Sequence, residues 1–194
     1  MIKVAIPFHS GYGHTEVVAN AVKRGVESEK AEARLIKIAA DGTVPESDWE
    51  YLDLADAIIF GTPTYMGGVS AQFKIFADAT AKPWFGGKWK DKLAGGFTNS
   101  GSFSGDKLAT LQQLSILAAQ HGMIWVSLGL LPAQPSTPHQ RDEDSLNRLG
   151  SFLGLMTQSE NDKPEITPPS GDQKTAESYG ARIVVSAKRW KTEA

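Results

Sequence analysis

Cysteine is absent from this chain of 194 residues. The absence excludes disulfides, thiolate catalysis and cysteine-ligated metals, so any redox chemistry must reside in a bound cofactor. Neither sign of charge is in clear excess, because 20 lysines and arginines stand against 22 aspartates and glutamates, for a formal net charge of -2. Such a mild charge, without a basic stripe, argues against a nucleic-acid partner held through phosphate contacts.

Long apolar runs are also missing. None approaches the roughly 20 residues that cross a bilayer, and Met1–Ile6 enters a strand pattern directly, without the basic and apolar regions of a signal peptide. We therefore expect no membrane partner and a cytoplasmic location. The length suits one well-buried domain, so residues 1–194 are predicted to form a single unit.

Apolar runs alternate with amphipathic segments along the chain. The pattern predicts strands at 2–8, 33–38, 56–60, 92–98 and 123–128, and helices at about 15–29, 70–81, 107–120 and along a stripe from Ala176 to Trp190. Strands that alternate with helices are joined by right-handed crossovers. The expected fold class is α/β, a doubly wound parallel sheet with helices on both faces.

The segment from Pro132 to Ser170 does not follow this alternation. It is rich in Pro, Gly, Asn, Asp and Ser, and it is too long for a plain connection in a small domain. We expect a surface excursion that covers the functional site or contacts another subunit.

Three loops that follow predicted strands carry residues suited to binding. They are Ser10–Thr15, Thr62–Gly68 and Asn99–Gly105, all rich in Gly, Ser and Thr. In an open parallel sheet, ligands bind beyond the carboxyl ends of the strands. The first loop can surround an anion with backbone N–H groups at the positive end of a helix. Alone it could equally be a capped turn into a helix, and the two companion loops favour a ligand.

The residues of the first loop separate several kinds of anion site. A P-loop requires a lysine that is missing here, and a dinucleotide fingerprint requires a third glycine where this chain has Glu16. Asp41 could imitate the ribose-binding acid of such a fold, but beside Gly42 it is typical of a solvated turn. A phosphoacceptor domain would need aspartates where Phe8–His9 and Thr62–Pro63 stand.

Four stretches resemble one family closely. They are Phe-His-Ser-Gly-Tyr-Gly-His-Thr from Phe8, Ile-Ile-Phe-Gly-Thr-Pro-Thr-Tyr-Met-Gly from Ile58, Lys-Leu-Ala-Gly-Gly-Phe-Thr-Asn-Ser-Gly-Ser from Lys92, and His-Gly-Met from His121. In this order they are similar to the flavodoxin-like NAD(P)H:quinone oxidoreductases of the WrbA type. The resemblance implies a flavodoxin-like sheet of five strands in the order 2-1-3-4-5. It also implies FMN as cofactor, NADH or NADPH as electron donor and a small quinone-like acceptor.

The resemblance assigns roles to the three loops. The first would hold the FMN phosphate, the second would lie along the flavin ring with its amides near N5 and O4, and the third would surround the ribityl chain and the pyrimidine edge. The implied cofactor-binding residues are Ser10, Gly11, Tyr12, Gly13, His14, Thr15, Pro63, Thr64, Tyr65, Met66, Gly67, Asn99, Ser100, Gly101, Ser102 and Gly105. No residue is expected to bind a metal.

Three residues are implied to form the substrate side. Tyr12 and Trp84 would stand around the open face of the flavin, and His121 would lie in the substrate cavity, where it could donate a proton to a reduced quinone. Without the resemblance, His121 would be interpreted as a helix-terminal histidine that interacts with the helix dipole. Trp84 would then be a large side chain that covers a helix end.

Two differences from the family bear on this assignment. Tyr65 and Met66 stand where the family usually has an arginine and a phenylalanine, which affects cofactor contacts and nicotinamide preference. The connection from Ala39 to Asp53 is shorter than in typical members, where the region contributes to tetramer packing. A homodimer or a homotetramer is expected.

The expected function is two-electron transfer from NAD(P)H through FMN to a quinone-like acceptor. The alternatives are a flavodoxin-type electron carrier, a related NAD(P)H-dependent FMN or azo reductase, and a binding module that has kept the fold without turnover. Carriers usually surround the flavin with acidic residues that steer basic partners. The three loops contain no Asp or Glu, which favours the enzyme.

Overall fold

A computed structural model of the protein describes residues 1–133 and 143–192. The strands are β1 (Lys3–Phe8), β2 (Glu32–Lys37), β3 (Ala57–Tyr65), β4 (Gly68–Val69), β5 (Leu93–Ser100), β6 (Ile124–Trp125) and β7 (Leu155–Gln158). The helices are α1 (His14–Ser28), α2 (Glu46–Leu54), α3 (Ala71–Ala79), α4 (Ala81–Phe85), α5 (Lys107–Gln120) and α6 (Ser170–Thr192). The predicted bounds of α5 are confirmed.

The central sheet has the order β2-β1-β3-β5-β6, with parallel pairing throughout. β7 also pairs in parallel with β5, at Phe97–Ser100, whereas β6 pairs with the first two residues of β5. β6 and β7 therefore share the fifth position of the sheet. The predicted order is confirmed. The predicted single strand over 123–128 is wrong beyond Trp125, because the chain leaves the sheet edge there and returns to it at Leu155.

β3 continues past Phe60, where the sequence predicts its end. The Gly61 carbonyl accepts a hydrogen bond from the His9 amide at 3.1 Å, so the backbone of Pro63, two residues further, faces the same side of the strand. β1 has already ended at that level, and the missing N–H of proline therefore costs no ladder hydrogen bond. On its other side β3 pairs with β5 as far as Asn99.

α2 lies in a stretch that the sequence pattern treats as a polar connection, 39–53. It buries Tyr51 and Leu52, and its Asp48 forms an ion pair with Arg34 of β2 at 2.6 Å. So few buried positions in a helix of nine residues leave little apolar periodicity to detect.

The helix predicted at 70–81 is divided in two at Thr80. Ser70 is the N-cap of α3 and accepts a hydrogen bond from the Phe73 amide at 3.3 Å. Trp84, expected in a loop-like stretch, lies in the short helix α4.

Apolar side chains cover both faces of the sheet. One buried cluster lies among β1, β3, α1 and α6, and the other lies among β3, α2, α3 and α5. Along β3, Ala57 and Ile59 belong to the first cluster, whereas Ile58 and Phe60 belong to the second. Burial on both faces explains why these strands are continuous apolar runs in the sequence.

α1 and α6 pack with their backbones in near contact. A Cβ atom on Gly25 would lie 1.9 Å from the Glu177 carbonyl oxygen, and one on Gly180 would lie 2.2 Å from the Val22 carbonyl oxygen. Any larger side chain at either glycine would push these helices apart.

Residues 134–142 of the predicted excursion, 132–170, lie outside the described residues. Its described part contains β7 and is anchored beside the sheet by Asn147, whose Nδ2 donates to the carbonyls of Leu130 and Ser151, both at 3.0 Å. None of the helices within the described ranges is long and apolar enough to cross a membrane.

Candidate functional site

A cavity of about 450 Å³ opens at the carboxyl edge of the sheet. Its size is within the range of small-molecule sites. It is lined by Tyr12, His14, Thr15, Pro63, Thr64, Tyr65, Asn99, Ser100, Gly101, Ser159, Glu160, Asn161 and Asp162. The three loops that the sequence singles out therefore meet here, and a fourth segment joins them.

The first loop offers a set of free amides. Ser10 Oγ accepts hydrogen bonds from the amides of Gly13, at 3.1 Å, and Glu16, at 3.2 Å, which fixes the turn into α1. Five other backbone N–H groups donate to no acceptor in the part of the chain that the structure describes, namely those of Ser10, Gly11, Tyr12, His14 and Thr15. Free amides at a helix N-terminus are a site for an anion.

Gly13 determines the shape of this loop. Its φ is +92°, and a Cβ atom there would lie 2.5 Å from Pro164 Cγ. Only glycine adopts this conformation without strain. His14 Nε2 donates to the Asp162 carbonyl at 2.8 Å. The loop is thus held against residues that come much later in the chain.

The second loop is a tight hairpin at the end of β3. Met66 and Gly67 have φ values of +48° and +80° and form a two-residue turn between β3 and β4. Tyr65 lies over the first loop, because a Cβ atom on Gly11 would be 2.5 Å from its hydroxyl, and its ring meets the ring of Tyr12 edge-on at 6.4 Å. Burial, with a smaller contribution from Tyr12, raises the pKa of Tyr65.

Thr64 faces the cavity, but its hydroxyl is already engaged. Its Oγ1 is 2.8 Å from Oγ1 of Thr98 and 2.8 Å from Oγ1 of Thr110. Thr64 therefore offers the cavity no free hydroxyl.

The third loop presents an amide side chain and a hydroxyl. Asn99 Oδ1 accepts hydrogen bonds from Thr157 Oγ1 at 2.8 Å and Ser159 Oγ at 3.0 Å. Its side-chain N–H groups have no acceptor among the described residues and can donate to a ligand. Beside it, Ser100 Oγ accepts from Lys107 Nζ at 2.8 Å.

The fourth segment, 159–162, belongs to the excursion that the sequence predicts to cover the site or to contact another subunit, but the sequence reasoning names none of its residues as site residues. The Ser159 amide donates to the Ser100 carbonyl at 3.1 Å, which continues the pairing of β7 with β5. The segment brings two carboxyl groups, those of Glu160 and Asp162, to the cavity wall. The three predicted loops contain no acidic residue, so both carboxyl groups come from this segment. The available signal was a short run, Leu155–Gln158, followed directly by polar residues.

His121 and Trp84 lie at the opposite edge of the sheet. His121 follows α5 and precedes β6, where Nε2 is 2.8 Å from Thr80 Oγ1 and the ring stacks on Trp89 at 4.4 Å. Trp84 Nε1 donates to the Gln120 carbonyl at 2.9 Å. Within a single chain, the predicted position of these two residues beside the flavin is therefore wrong. A helix that follows a parallel strand returns the chain to the amino ends of the strands, and His121 lies at the end of such a helix.

The predicted cofactor-binding residues fall into two groups. Those that line the cavity are Tyr12, His14, Thr15, Pro63, Thr64, Tyr65, Asn99, Ser100 and Gly101. Those that shape the adjoining loops without lining it are Ser10, Gly11, Gly13, Met66, Gly67, Ser102 and Gly105. Individual contacts with a cofactor remain predictions.

The donors at this cavity fit FMN. The free amides of the first loop suit its phosphate, and no lysine or arginine lines the wall. The backbone at Gly101 leaves room for a ligand, because a Cβ atom there would meet only the Ser159 carbonyl oxygen, at 3.9 Å. Residues 1–133 and 143–192 contain no cluster of three or more His, Asp or Glu side chains placed to hold a metal ion.

Comparisons with known proteins agree with this geometry. A family model for NADPH-dependent FMN reductase matches residues 9–134. Flavodoxin FldP of Pseudomonas aeruginosa is 48% identical over 183 residues, which cover 94% of this chain and 95% of that protein. An NAD(P)H dehydrogenase (quinone) of Sinorhizobium fredii is 34% identical over 142 residues, which cover 66% of this chain and 71% of that protein.

Among solved structures, the crystal structure of a flavodoxin, WrbA-like protein from Agrobacterium tumefaciens superposes with a TM-score of 0.78 at 47% identity. The match covers 97% of this chain and 99% of that one. The fold and the cavity together define a flavodoxin-like flavoprotein. More particularly, the chain belongs to the NADPH-dependent FMN reductase family. The predicted family resemblance, FMN and a nicotinamide donor are confirmed at this level.

Proposed function

We propose that this protein passes two electrons from NAD(P)H, through FMN, to a quinone or a similar small acceptor. The observation that carries the proposal is the cavity at the carboxyl edge, where a lysine-free anion site adjoins an open aromatic rim. The first feature suits the FMN phosphate, and the second suits a planar substrate.

In this proposal the residues of the chain bind FMN and orient it. The free amides of the first loop would hold the phosphate, Pro63–Tyr65 would lie along the flavin ring, and Asn99–Gly101 would donate to its polar edge. FMN supplies the two-electron chemistry when bound, because no side chain of this cysteine-free protein can supply it. The protein thus provides position and electrostatics.

Tyr12 forms the rim of the cavity. Its side chain is 77% exposed while its ring edge contacts Tyr65. An exposed aromatic ring at a cavity mouth can stack on a nicotinamide or a quinone. Such a rim accepts a class of planar conjugated molecules, which includes azo compounds and a second flavin.

The test begins with the absorption spectrum of the purified protein and the identity of the flavin it releases. We expect FMN, anaerobic bleaching by NADH or NADPH, and repeated quinone reduction. Tyr12→Leu should raise the KM for quinone several-fold. Phe152→Leu, which removes an exposed aromatic ring that does not line the cavity, should not. FMN-loaded protein without nicotinamide-dependent quinone turnover would reject the proposal.

A flavodoxin-type carrier is the second candidate, and one observation favours it. Glu160 and Asp162 place carboxyl groups at the cavity, which is the kind of rim that steers basic redox partners. The relative named flavodoxin FldP also matches almost the full chain.

The two candidates separate in an electron-transfer assay. For a carrier, the photoreduced protein should reduce a basic cytochrome rapidly, with a rate that falls as salt rises. The double variant Glu160→Gln with Asp162→Asn should slow that transfer several-fold, whereas Glu27→Gln on α1 should leave it unchanged. Quinone turnover with no cytochrome reduction would reject the carrier.

His121 and Trp84 can serve a flavin only if another copy of the chain brings them to its cavity. Their predicted substrate role therefore requires the expected homodimer or homotetramer, which sedimentation velocity can measure. In such an assembly His121→Ala should lower quinone turnover and alter its pH profile. Unchanged values would remove His121 from the reaction.

A further inference from the structure

Lys107, the first residue of α5, is completely buried. Its Nζ donates to Ser100 Oγ at 2.8 Å, to the Ser102 carbonyl at 2.6 Å and to the Phe103 carbonyl at 3.0 Å. Three acceptors use all three N–H groups of an ammonium ion. The third loop is therefore wrapped around a buried cation.

This contact orients the backbone of the loop. In a trans peptide the carbonyl of one residue and the N–H of the next point in opposite directions. Because Lys107 holds the carbonyls of Ser102 and Phe103 inward, the N–H groups of Phe103 and Ser104 face away from it. The Ser100 carbonyl accepts a hydrogen bond from the Ser159 amide at 3.1 Å, and the Gly101 carbonyl accepts one from Gln158 Nε2 at 2.9 Å.

These four engaged carbonyls leave the N–H group of each following residue pointing away from the donor that holds the carbonyl. The N–H groups of Gly101, Ser102, Phe103 and Ser104 donate to no acceptor within the described ranges. The set begins at the cavity wall, which Ser100 and Gly101 line, whereas Phe103 and Ser104 line a neighbouring cavity. It is a second set of free donors, in addition to those of the first loop.

The charge of Lys107 has no counter-ion in direct contact among the described residues. The nearest charged groups behind it are Asp172 and Arg148, which pair with each other at 2.7 Å. The three groups together carry one excess positive charge. Burial lowers the pKa of Lys107 to about 8, against an opposing effect of Asp172 and a reinforcing one of Arg148.

We propose that Lys107 is a positioning residue for the flavin, a buried cation that fixes the backbone of the 100–104 loop beside the cavity and places a positive charge behind it. The inference deepens the proposed function, because it assumes that the cavity binds FMN. It predicts that Lys107 strengthens FMN binding and raises the reduction potential of the bound flavin, since a nearby positive charge favours the more negative reduced form.

Lys92 provides a matched control. It lies at the other end of β5, and its Nζ also donates to three oxygen atoms, the carbonyls of Leu52 at 3.2 Å, Asp53 at 2.6 Å and Ala55 at 2.6 Å. Burial likewise lowers its pKa. The two lysines therefore share a set of three oxygen acceptors, and they differ in burial, since Lys92 is only partly buried, and in their distance from the cavity.

The experiment compares Lys107→Met with Lys92→Met. Apoprotein is titrated with FMN by flavin fluorescence, and the midpoint potential of the reloaded protein is measured by photoreduction, so neither readout uses NAD(P)H or quinone. Lys107→Met should weaken FMN binding about tenfold, the usual scale for loss of charge-assisted hydrogen bonds, and should lower the potential. Folded Lys92→Met should match the wild type in both.

A folded Lys107→Met with wild-type affinity and potential would overturn the proposal. Wild-type protein that binds no FMN at all would instead reject the proposed function.

Discussion

The two edges of the sheet are made of opposite kinds of structure. At the carboxyl edge, backbone amides are left without acceptors around a cavity. At the amino edge, polar groups are used to hold the packing together, as in Trp89 Nε1 donating to Asp53 at 2.9 Å and His121 contacting Thr80 at 2.8 Å. The difference teaches that free donors, rather than buried aromatic or histidine side chains, mark the binding edge.

The largest effect is expected when the buried ion pair near the carboxyl edge, between Arg148 and Asp172, is removed. Arg148→Met leaves the Asp172 carboxylate, 2% exposed, without its partner at 2.7 Å. We expect a loss of about 3–5 kcal/mol in the free energy of unfolding, measured by urea denaturation. Arg24→Met, which breaks an exposed pair with Glu177, should cost about 0–1 kcal/mol. Equal losses in the two variants would contradict this difference.

A smaller effect is expected from a glycine-to-alanine substitution at each edge of the sheet. Gly13→Ala combines a φ of +92° with a contact of 2.5 Å to Pro164, so it should cost about 2 kcal/mol or more and weaken FMN binding. Gly87→Ala, at the amino edge, has a φ of +60° and open space around it.

Gly87→Ala should therefore cost only the strain of a left-handed residue, about 1 kcal/mol, with FMN affinity unchanged. Thermal unfolding and fluorescence titration measure the two quantities. If both variants bind FMN equally well, the first loop does not hold the phosphate.

The smallest effect concerns pH. Burial lowers the pKa of His121, whose Nδ1 is buried without a hydrogen-bond partner in the described structure. The unfolded chain therefore binds a proton more readily than the folded one, and stability should decline as pH falls below the ordinary histidine value of about 6.5.

His9, near the cavity, should add to this decline, because burial and Lys37 lower its pKa as well. In acid denaturation curves of His121→Gln, the decline in stability at low pH should be smaller, because only His9 and the carboxyl groups still contribute to it. A curve identical to that of the wild type would show that His121 does not titrate differently on folding.

Much of the fold follows from the sequence because its signals are local. β1 and β3 are buried on both faces and so are continuous apolar runs. In the first loop, Gly11 and Gly13 indicate the tight turn directly from the sequence. The position of His121 also follows from the predicted topology, since a helix after a parallel strand must end at the amino edge.

The fourth side of the cavity could not be predicted in this way. Ser159 and Asn99 are 60 residues apart in the chain, yet their side chains form a hydrogen bond at 3.0 Å. β7 has only four residues and follows a segment rich in turn formers, so its pattern carries little weight until pairing with β5 selects it. Tertiary pairing, rather than local preference, decides this part of the site.

The fifth position of the sheet is shared by β6 and β7, and this has a consequence for the order in which the parts of the cavity form. The contact between His14 and Asp162 spans 148 residues of the chain. Contacts of such separation carry a large loop-closure entropy and form after local structure. On a ribosome the anion loop would emerge well before its cover, which follows it by 148 residues. The protein should therefore capture its flavin only after residues 159–162 have been synthesised.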